Sequence, residues 1–220
     1  MKRATALLMT VMVSGLLAGA AIAGEPAGMA DYREMMMKHH LGAMEQQQAK
    51  VGEPAPPFTL DAVVNKEFKP ISLADYRGKW VVLFFYPADF TFVCPTEITG
   101  FNKALSRFTE LNAVVLGASV DSKYSHLAWI KRGDLGDLAF PLLADAKKEV
   151  TRAYGILDDK EGVALRGLFI IDPNGVLQYE VVQSLSVGRS VDETLRVLEA
   201  LQTGELCPLG WKPGQKTLGK

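Results

Sequence analysis

Cysteine is nearly absent from this chain of 220 residues: Cys94 and Cys207 are the only two. That excludes a small fold stapled by several disulfides. A metal pair, a single disulfide or redox chemistry remain as uses for the two thiols. Neither sign of charge is in excess, with 24 Lys and Arg against 25 Asp and Glu and a formal net charge of −1. Binding to nucleic acid usually needs a clustered positive surplus, so nucleic acid is not expected as a partner. Histidine is scarce, three in all, and none clusters near either cysteine, so no metal site is expected. No Gly-rich phosphate loop follows a strand-like run and no Gly-x-Ser-x-Gly elbow occurs, so no bound cofactor is expected. Internal repeats and low-complexity segments are missing as well. With 48% hydrophobic and 22% charged residues, the chain has the composition of a folded protein rather than a disordered one. Its length suits one domain with extensions.

Long uncharged runs are also missing, with one exception at the start. Lys2 and Arg3 precede an uncharged run from Ala4 to Ala23, which ends in Ala21-Ile22-Ala23, a small-x-small pattern, before Gly24-Glu25-Pro26. Residues 1–23 therefore read as a secretory signal peptide. An uncleaved membrane anchor is the alternative, because the run approaches the roughly 20 apolar residues of a span. Its many Ala, Gly and Thr residues make it weakly apolar, which favours cleavage after Ala23. Cleavage removes Lys2 and Arg3 and leaves 22 basic against 25 acidic residues, a net charge of −3. The expectation is an exported protein, in the bacterial periplasm and without stable membrane insertion after cleavage, where disulfides persist. Residues 24–50 are expected to be an extension, with a helix from Asp31 to Lys50. Met35-Met36-Met37-Lys38-His39-His40 within it could form a soft-metal site, since thioether and imidazole suit Cu(I). A plain polar or amphipathic extension is preferred, because no second ligand cluster exists.

Glu53-Pro54-Ala55-Pro56-Pro57 marks entry into a domain spanning 51–203. Strands are predicted over 58–64, 66–70, 79–86, 113–120, 140–143, 165–171 and 176–182. The run Val81-Val82-Leu83-Phe84-Phe85 has the continuous apolar character of a buried central strand. Asp172-Pro173-Asn174-Gly175 is a strong hairpin turn between the last two strands. Helices are predicted over 95–111, with Ile98, Phe101, Leu105 and Phe108 on one face, and over 123–131, 147–154 and 191–202. Ser72-Leu73-Ala74-Asp75 reads as a capped helical turn. Residues 204–220 are a tail rich in turn residues that carries Cys207. Alternating strands and helices with a terminal hairpin predict an α/β domain.

The chemistry points to Cys94. A buried strand ends near Tyr86 and a helix starts near Pro95, where the missing proline N–H costs nothing. Cys94 therefore sits at a helix N-terminus, with free backbone N–H groups and the positive end of the helix dipole close to its sulfur. That environment favours a thiolate. Free cysteine is otherwise often a small buried hydrophobe. The polar Thr91, Thr96 and Glu97 and the prolines of the loop argue against that reading.

The run Tyr86-Pro87-Ala88-Asp89-Phe90-Thr91-Phe92-Val93-Cys94-Pro95-Thr96-Glu97 closely resembles the peroxidatic loop of the typical two-cysteine peroxiredoxins, the class that includes alkyl hydroperoxide reductase subunits. The segments at 121–129, 141–145, 165–172 and 204–211 resemble the same class, so the resemblance runs from about Val51 to Trp211. It implies a thioredoxin-like fold with a central mixed β-sheet flanked by helices, and a thiol-dependent peroxidase acting on hydrogen peroxide and organic hydroperoxides. In that reading Cys94 is the peroxidatic cysteine and passes through a sulfenic acid. Cys207 of the other subunit of a homodimer, alone or within a decameric ring of dimers, resolves it to an intersubunit disulfide. Thr91 contacts thiolate and peroxide, and Pro87 shields the sulfur from water. Arg166 stabilises the thiolate and the leaving oxygen. Glu97 orients Arg166, and Arg189 is a plausible second arginine on Glu97. Arg166 and Arg189 could otherwise be surface charges, and His126, in a helical pattern beside Trp129, is expected to be structural.

Two other functions share these features. A thioredoxin-type thiol–disulfide oxidoreductase needs a second nearby cysteine, whereas Pro95-Thr96-Glu97 follows Cys94. An oligomeric holdase chaperone would leave peroxide untouched. The reductant for an exported peroxidase is expected to be a thioredoxin-like or other thiol–disulfide donor that is itself exported or membrane-relayed. The resemblance also has departures. Members sensitive to overoxidation carry Gly-Gly-Leu-Gly and a C-terminal Tyr-Phe, which brace the peroxidatic helix. Here the chain reads Gly133-Asp134-Leu135-Gly136 and ends Thr217-Leu218-Gly219-Lys220, which implies weaker bracing and relative resistance to overoxidation.

Overall fold

The computed structural model describes residues 48–220 and, before them, Asp31 and Met35. The signal peptide expected at 1–23 lies outside the described residues, as does nearly all of the extension expected at 24–50. Asp31 and Met35 are helical, as predicted for that stretch. Gln48 to Lys50 are not, because Ala49 N donates instead to Ala153 O at 2.9 Å.

From Gln47 the chain forms one compact unit. Its strands are β1 (Thr59–Val64), β2 (Glu67–Ser72), β3 (Trp80–Phe85), β4 (Ala113–Ser119), β5 (Leu142–Ala144), β6 (Leu157–Asp158), β7 (Val163–Ala164), β8 (Arg166–Ile171) and β9 (Leu177–Gln183). Seven of them make one mixed sheet in the order β2-β1-β5-β4-β3-β8-β9. The interior strand β3, next to the middle strand β4, runs parallel to β4 and antiparallel to β8. The short pair β6–β7 stands apart.

Alternation along β3 builds two cores. Val82 and Phe84, with Tyr86 just beyond the strand, point to one face, and Val81, Leu83 and Phe85 to the other. The first face is covered by α1 (Cys94–Lys103), α2 (Leu105–Glu110), α3 (Lys123–Arg132) and α5 (Val191–Thr203), which contribute Ile98, Phe101, Phe108, Trp129, Leu195 and Leu198. The second receives Val150 from α4 (Glu149–Ala153), followed by Tyr154 and Ile156. Cys94 belongs to the first core and is fully buried there. Each fully buried large apolar side chain stabilises the fold by about 1.5–3 kcal/mol.

Several boundaries differ from those predicted. The helix expected over 95–111 is two helices that break at Ala104, whose φ of −94° and ψ of 4° leave the helical range. The helix expected over 147–154 starts later, after Lys148 at a left-handed φ of 62°. Its cap comes from Asp145, whose buried carboxylate accepts from Val150 N, Thr151 N and Thr151 Oγ1. The turn at 72–75 is a capping box, with Ser72 and Asp75 side chains each taking the other's backbone N–H. Ser190 Oγ accepts from Glu193 N to start α5, and Gly204, at a φ of 64°, ends it.

Candidate active site

β3 ends one residue before Tyr86, whose N–H continues the ladder to Ala118 O at 2.9 Å. The chain then turns through residues 87–93 and re-enters regular structure at Cys94, the first residue of α1. Pro95 occupies the second helical position, one residue later than expected. Thr96 N and Glu97 N both donate to Val93 O, at 3.0 and 3.4 Å, so these two first-turn N–H groups are not free to face the sulfur. The group that reaches Cys94 Sγ is Arg166, the first residue of β8, whose Nη1 lies at 3.6 Å. Among the described residues it is the one hydrogen-bond donor to that sulfur.

Arg166 is itself held on two sides. Its Nε donates to Leu185 O at 2.8 Å, and Nη1 also donates to Glu97 Oε2 at 2.5 Å. Glu97 is buried, one turn along α1 from the cysteine, and is fixed by Arg189. Arg189 N and Nε donate to Oε1 at 2.8 and 2.7 Å, and Nη2 donates to Oε2 at 2.9 Å. Arg189 Nη1 bonds the carbonyls of Phe85 and Gly167 at 2.7 and 2.6 Å, and its guanidinium lies 5.3 Å from the Phe84 ring centroid. Two sheet strands and one helix are thus tied by a single buried guanidinium. Burial pushes the Glu97 carboxyl up, but hydrogen bonds and charge from Arg189, with the charge of Arg166, outweigh burial and hold it below its ordinary value. One carboxylate between two guanidiniums leaves an excess of one positive charge. A thiolate at Cys94 brings this buried cluster to neutrality.

Of the residues singled out in the sequence, Cys94, Glu97, Arg166 and Arg189 therefore meet. Pro87 and Thr91 are half-buried in the loop above. Thr91 Oγ1 donates its hydrogen to Ala88 O at 2.9 Å rather than to the sulfur, and so shapes the loop in this state. Cys207 lies elsewhere. Its Sγ is 3.6 Å from Thr203 Oγ1 and 3.8 Å from Ala200 O, beside a surface cleft of about 540 Å³ lined in part by Arg196, Leu201 and Leu209. Arg189 at the start of α5 touches the site, and Ala200 lies ten residues beyond Ser190, about 15 Å along a helix that rises 1.5 Å per residue. A disulfide needs Cα atoms within about 7 Å, so the two thiols of one chain are not placed to bond.

Sequence reasoning missed a polar network under the loop. Asp89 is buried and accepts from Tyr86 Oη at 2.9 Å and Ser125 Oγ at 2.7 Å, and its other buried neighbour is His126 Nδ1 at 2.8 Å. His126 Nε2 faces Leu143 O at 3.1 Å, and Asp89 N donates to Asp121 Oδ2 at 2.9 Å. His126 is structural, as expected. Burial, and then Asp89, push the Tyr86 phenol well above its ordinary value. The available signal was Asp89 itself, the one charged residue between Tyr86 and Cys94.

A sheet that presents a buried cysteine at a helix start, with a guanidinium on its sulfur and no second cysteine beside it, defines a thiol enzyme that works through one sulfur at a time. Residues 51–180 match the AhpC/TSA family. The chain is 56% identical over 183 residues to Peroxiredoxin-2 of Rattus norvegicus, covering 80% of this chain and 92% of the relative. It is 55% identical over 177 residues to the chloroplastic 2-Cys peroxiredoxin BAS1 of Spinacia oleracea, covering 76% of this chain and 67% of the relative. The crystal structure of reduced 2-Cys peroxiredoxin from Plasmodium vivax superposes with a TM-score of 0.72 at 44% identity, over 76% of this chain and 91% of that one. The chain belongs to the AhpC/TSA family and is a typical two-cysteine peroxiredoxin, a thiol-dependent peroxidase with the thioredoxin-like fold.

Proposed function

We propose that this protein reduces hydrogen peroxide and organic hydroperoxides at Cys94 and that Cys207 of a partner subunit completes the cycle. The Cys94 thiolate attacks one peroxide oxygen, the O–O bond breaks, and the departing oxygen leaves as water or alcohol after taking a proton. Sulfur is oxidised by two electrons to a sulfenic acid. Arg166 carries the charge that develops on the leaving oxygen. Thr91 contacts the incoming peroxide once its hydroxyl turns from Ala88, and Pro87 keeps water from the sulfur. The Cys207 thiol then attacks the sulfenic sulfur, water leaves, and an intersubunit disulfide remains for an external dithiol to reduce.

The observation that carries this reading is the buried Glu97–Arg166–Arg189 cluster with its single unbalanced positive charge against Cys94 Sγ. The separation of the two cysteines along α5 supports resolution between subunits. The small-x-small run ending at Ala23 supports export to a periplasm, with a thioredoxin-like donor working there. Single-turnover stopped-flow tests the roles of the thiols. Cys94→Ser should lose all peroxide reduction, whereas Cys207→Ser should still consume one equivalent. First-turnover activity in Cys94→Ser would sink the assignment.

A further inference from the structure

Asp134 stands where the sequence departs from the double glycine of the overoxidation-sensitive relatives, and its contacts reach the Cys94 loop. Phe90, four residues before Cys94, adopts a left-handed φ of 57°. That conformation costs energy for a residue with a Cβ, and packing must offset it. Phe90 is 44% exposed, so the core alone does not hold it. Buried Trp129 flanks it, with ring centroids 5.7 Å apart. The Arg132 guanidinium lies 4.8 Å from its centroid, within cation–π range. One carboxylate oxygen, Asp134 Oδ2, joins these two neighbours. It accepts from Trp129 Nε1 at 2.9 Å, from Arg132 Nε at 2.7 Å, and from Arg132 Nη2. The Arg132 hydrogen bond holds the Asp134 carboxyl below its ordinary value, so both groups are charged at neutral pH. A glycine at 134 has no side chain with which to make this link.

We propose that Arg132 and Asp134 form a polar clamp on Phe90 that positions the Cys94 loop and sets how fast it opens. The proposal rests on the reading that Cys207 resolves a Cys94 sulfenic acid. Cys94 is fully buried and must leave its site to meet another sulfur. While the loop stays closed, a second peroxide oxidises the sulfenic acid to sulfinic acid and leaves as water. Once it opens, the Cys207 thiol displaces water and the disulfide forms. The clamp lengthens the closed interval. Arg132 and Asp134 therefore brace the loop by a different chemistry from paired glycines, where the sequence departure alone implied a looser one. Arg132 and Asp134 are positioning residues that act through Phe90.

Rapid mixing with one equivalent of peroxide resolves two phases, formation of the sulfenic acid and formation of the disulfide. Arg132→Gln and Asp134→Asn should leave the first phase unchanged within about twofold and speed the second by roughly three- to tenfold, the scale of one lost cation–π contact. The peroxide concentration that gives half sulfinic acid, counted by mass spectrometry, should rise by the same factor. Phe90→Leu should speed the second phase alike, and Arg132→Gln added to it should change nothing more, as groups acting through one contact do. An unchanged or slower second phase in both polar variants would overturn the clamp, since the loop would then hinge beyond Phe90. A full Arg132→Gln effect in the Phe90→Leu background would overturn it too. Absence of any disulfide in the unsubstituted protein would remove the underlying reading, and the clamp with it.

Discussion

Glu97 is the residue on which the site turns, because its two oxygens gather both arginines. Replacing it by Gln keeps the shape and removes the charge, leaving two buried guanidiniums without their shared carboxylate. Breaking a buried pair in this way costs about 3–5 kcal/mol, which urea denaturation will read. Arg166 then loses its fixed place on Cys94 Sγ, and peroxide reduction should fall by about 10²-fold. The pH dependence has a definite sign. Glu97 is held below its ordinary value of 4.5, so its contribution to stability is complete above that value and is lost as pH falls through the lower folded one. Acid denaturation of Glu97→Gln should lack this component. Cys94, Glu97 and Arg166 were legible because the loop motif and the Arg-Gly strand start are specific. Arg189 was named as a second arginine on Glu97 but was harder to read, since it lies 92 residues from Glu97 and a helix-entry arginine is ordinarily a surface charge.

At the scale of elements, β8 brings Arg166 to the cysteine and offers Arg189 a carbonyl, and Gly167 lets it do so. A Cβ there would sit 2.9 Å from both Ile156 Cδ1 and Phe169 Cε2, while the Gly167 carbonyl accepts from Arg189. Gly167→Ala should destabilise the fold by about 1–3 kcal/mol, as overpacking does, and should slow the peroxidase by shifting that carbonyl. Ile156→Val removes the Cδ1 atom, so the double variant should recover part of both losses in denaturation and steady-state assays. Much of the element order could be read from apolar periodicity, and the break at Ala104 could not. Ile98, Phe101, Leu105 and Phe108 keep their spacing through it, and the buried face continues from α1 to α2. The β6–β7 pair has two residues per strand, too few for any alternation to show.

For the whole molecule, the two thiols face different places. Cys94 is enclosed by its own sheet and helices, while Cys207 lies half-buried in a tail that folds back on itself. Leu206 N donates to Gly219 O, and Leu218 N donates to Leu206 O, both at 2.8 Å. The tail therefore organises the surroundings of Cys207, and in the proposed cycle Cys94 is reached by another chain. The peroxide-treated protein should run as a disulfide-linked dimer on non-reducing gels and as a monomer once reduced. The most direct measurement is isotopic. Protein assembled from an equal mixture of heavy and light chains is oxidised with one equivalent of peroxide, digested without reduction, and its linked peptides are weighed. Resolution between subunits predicts Cys94–Cys207 pairs of mixed heavy and light mass; pairs that are only all-heavy or all-light would place both cysteines in one chain and contradict the account.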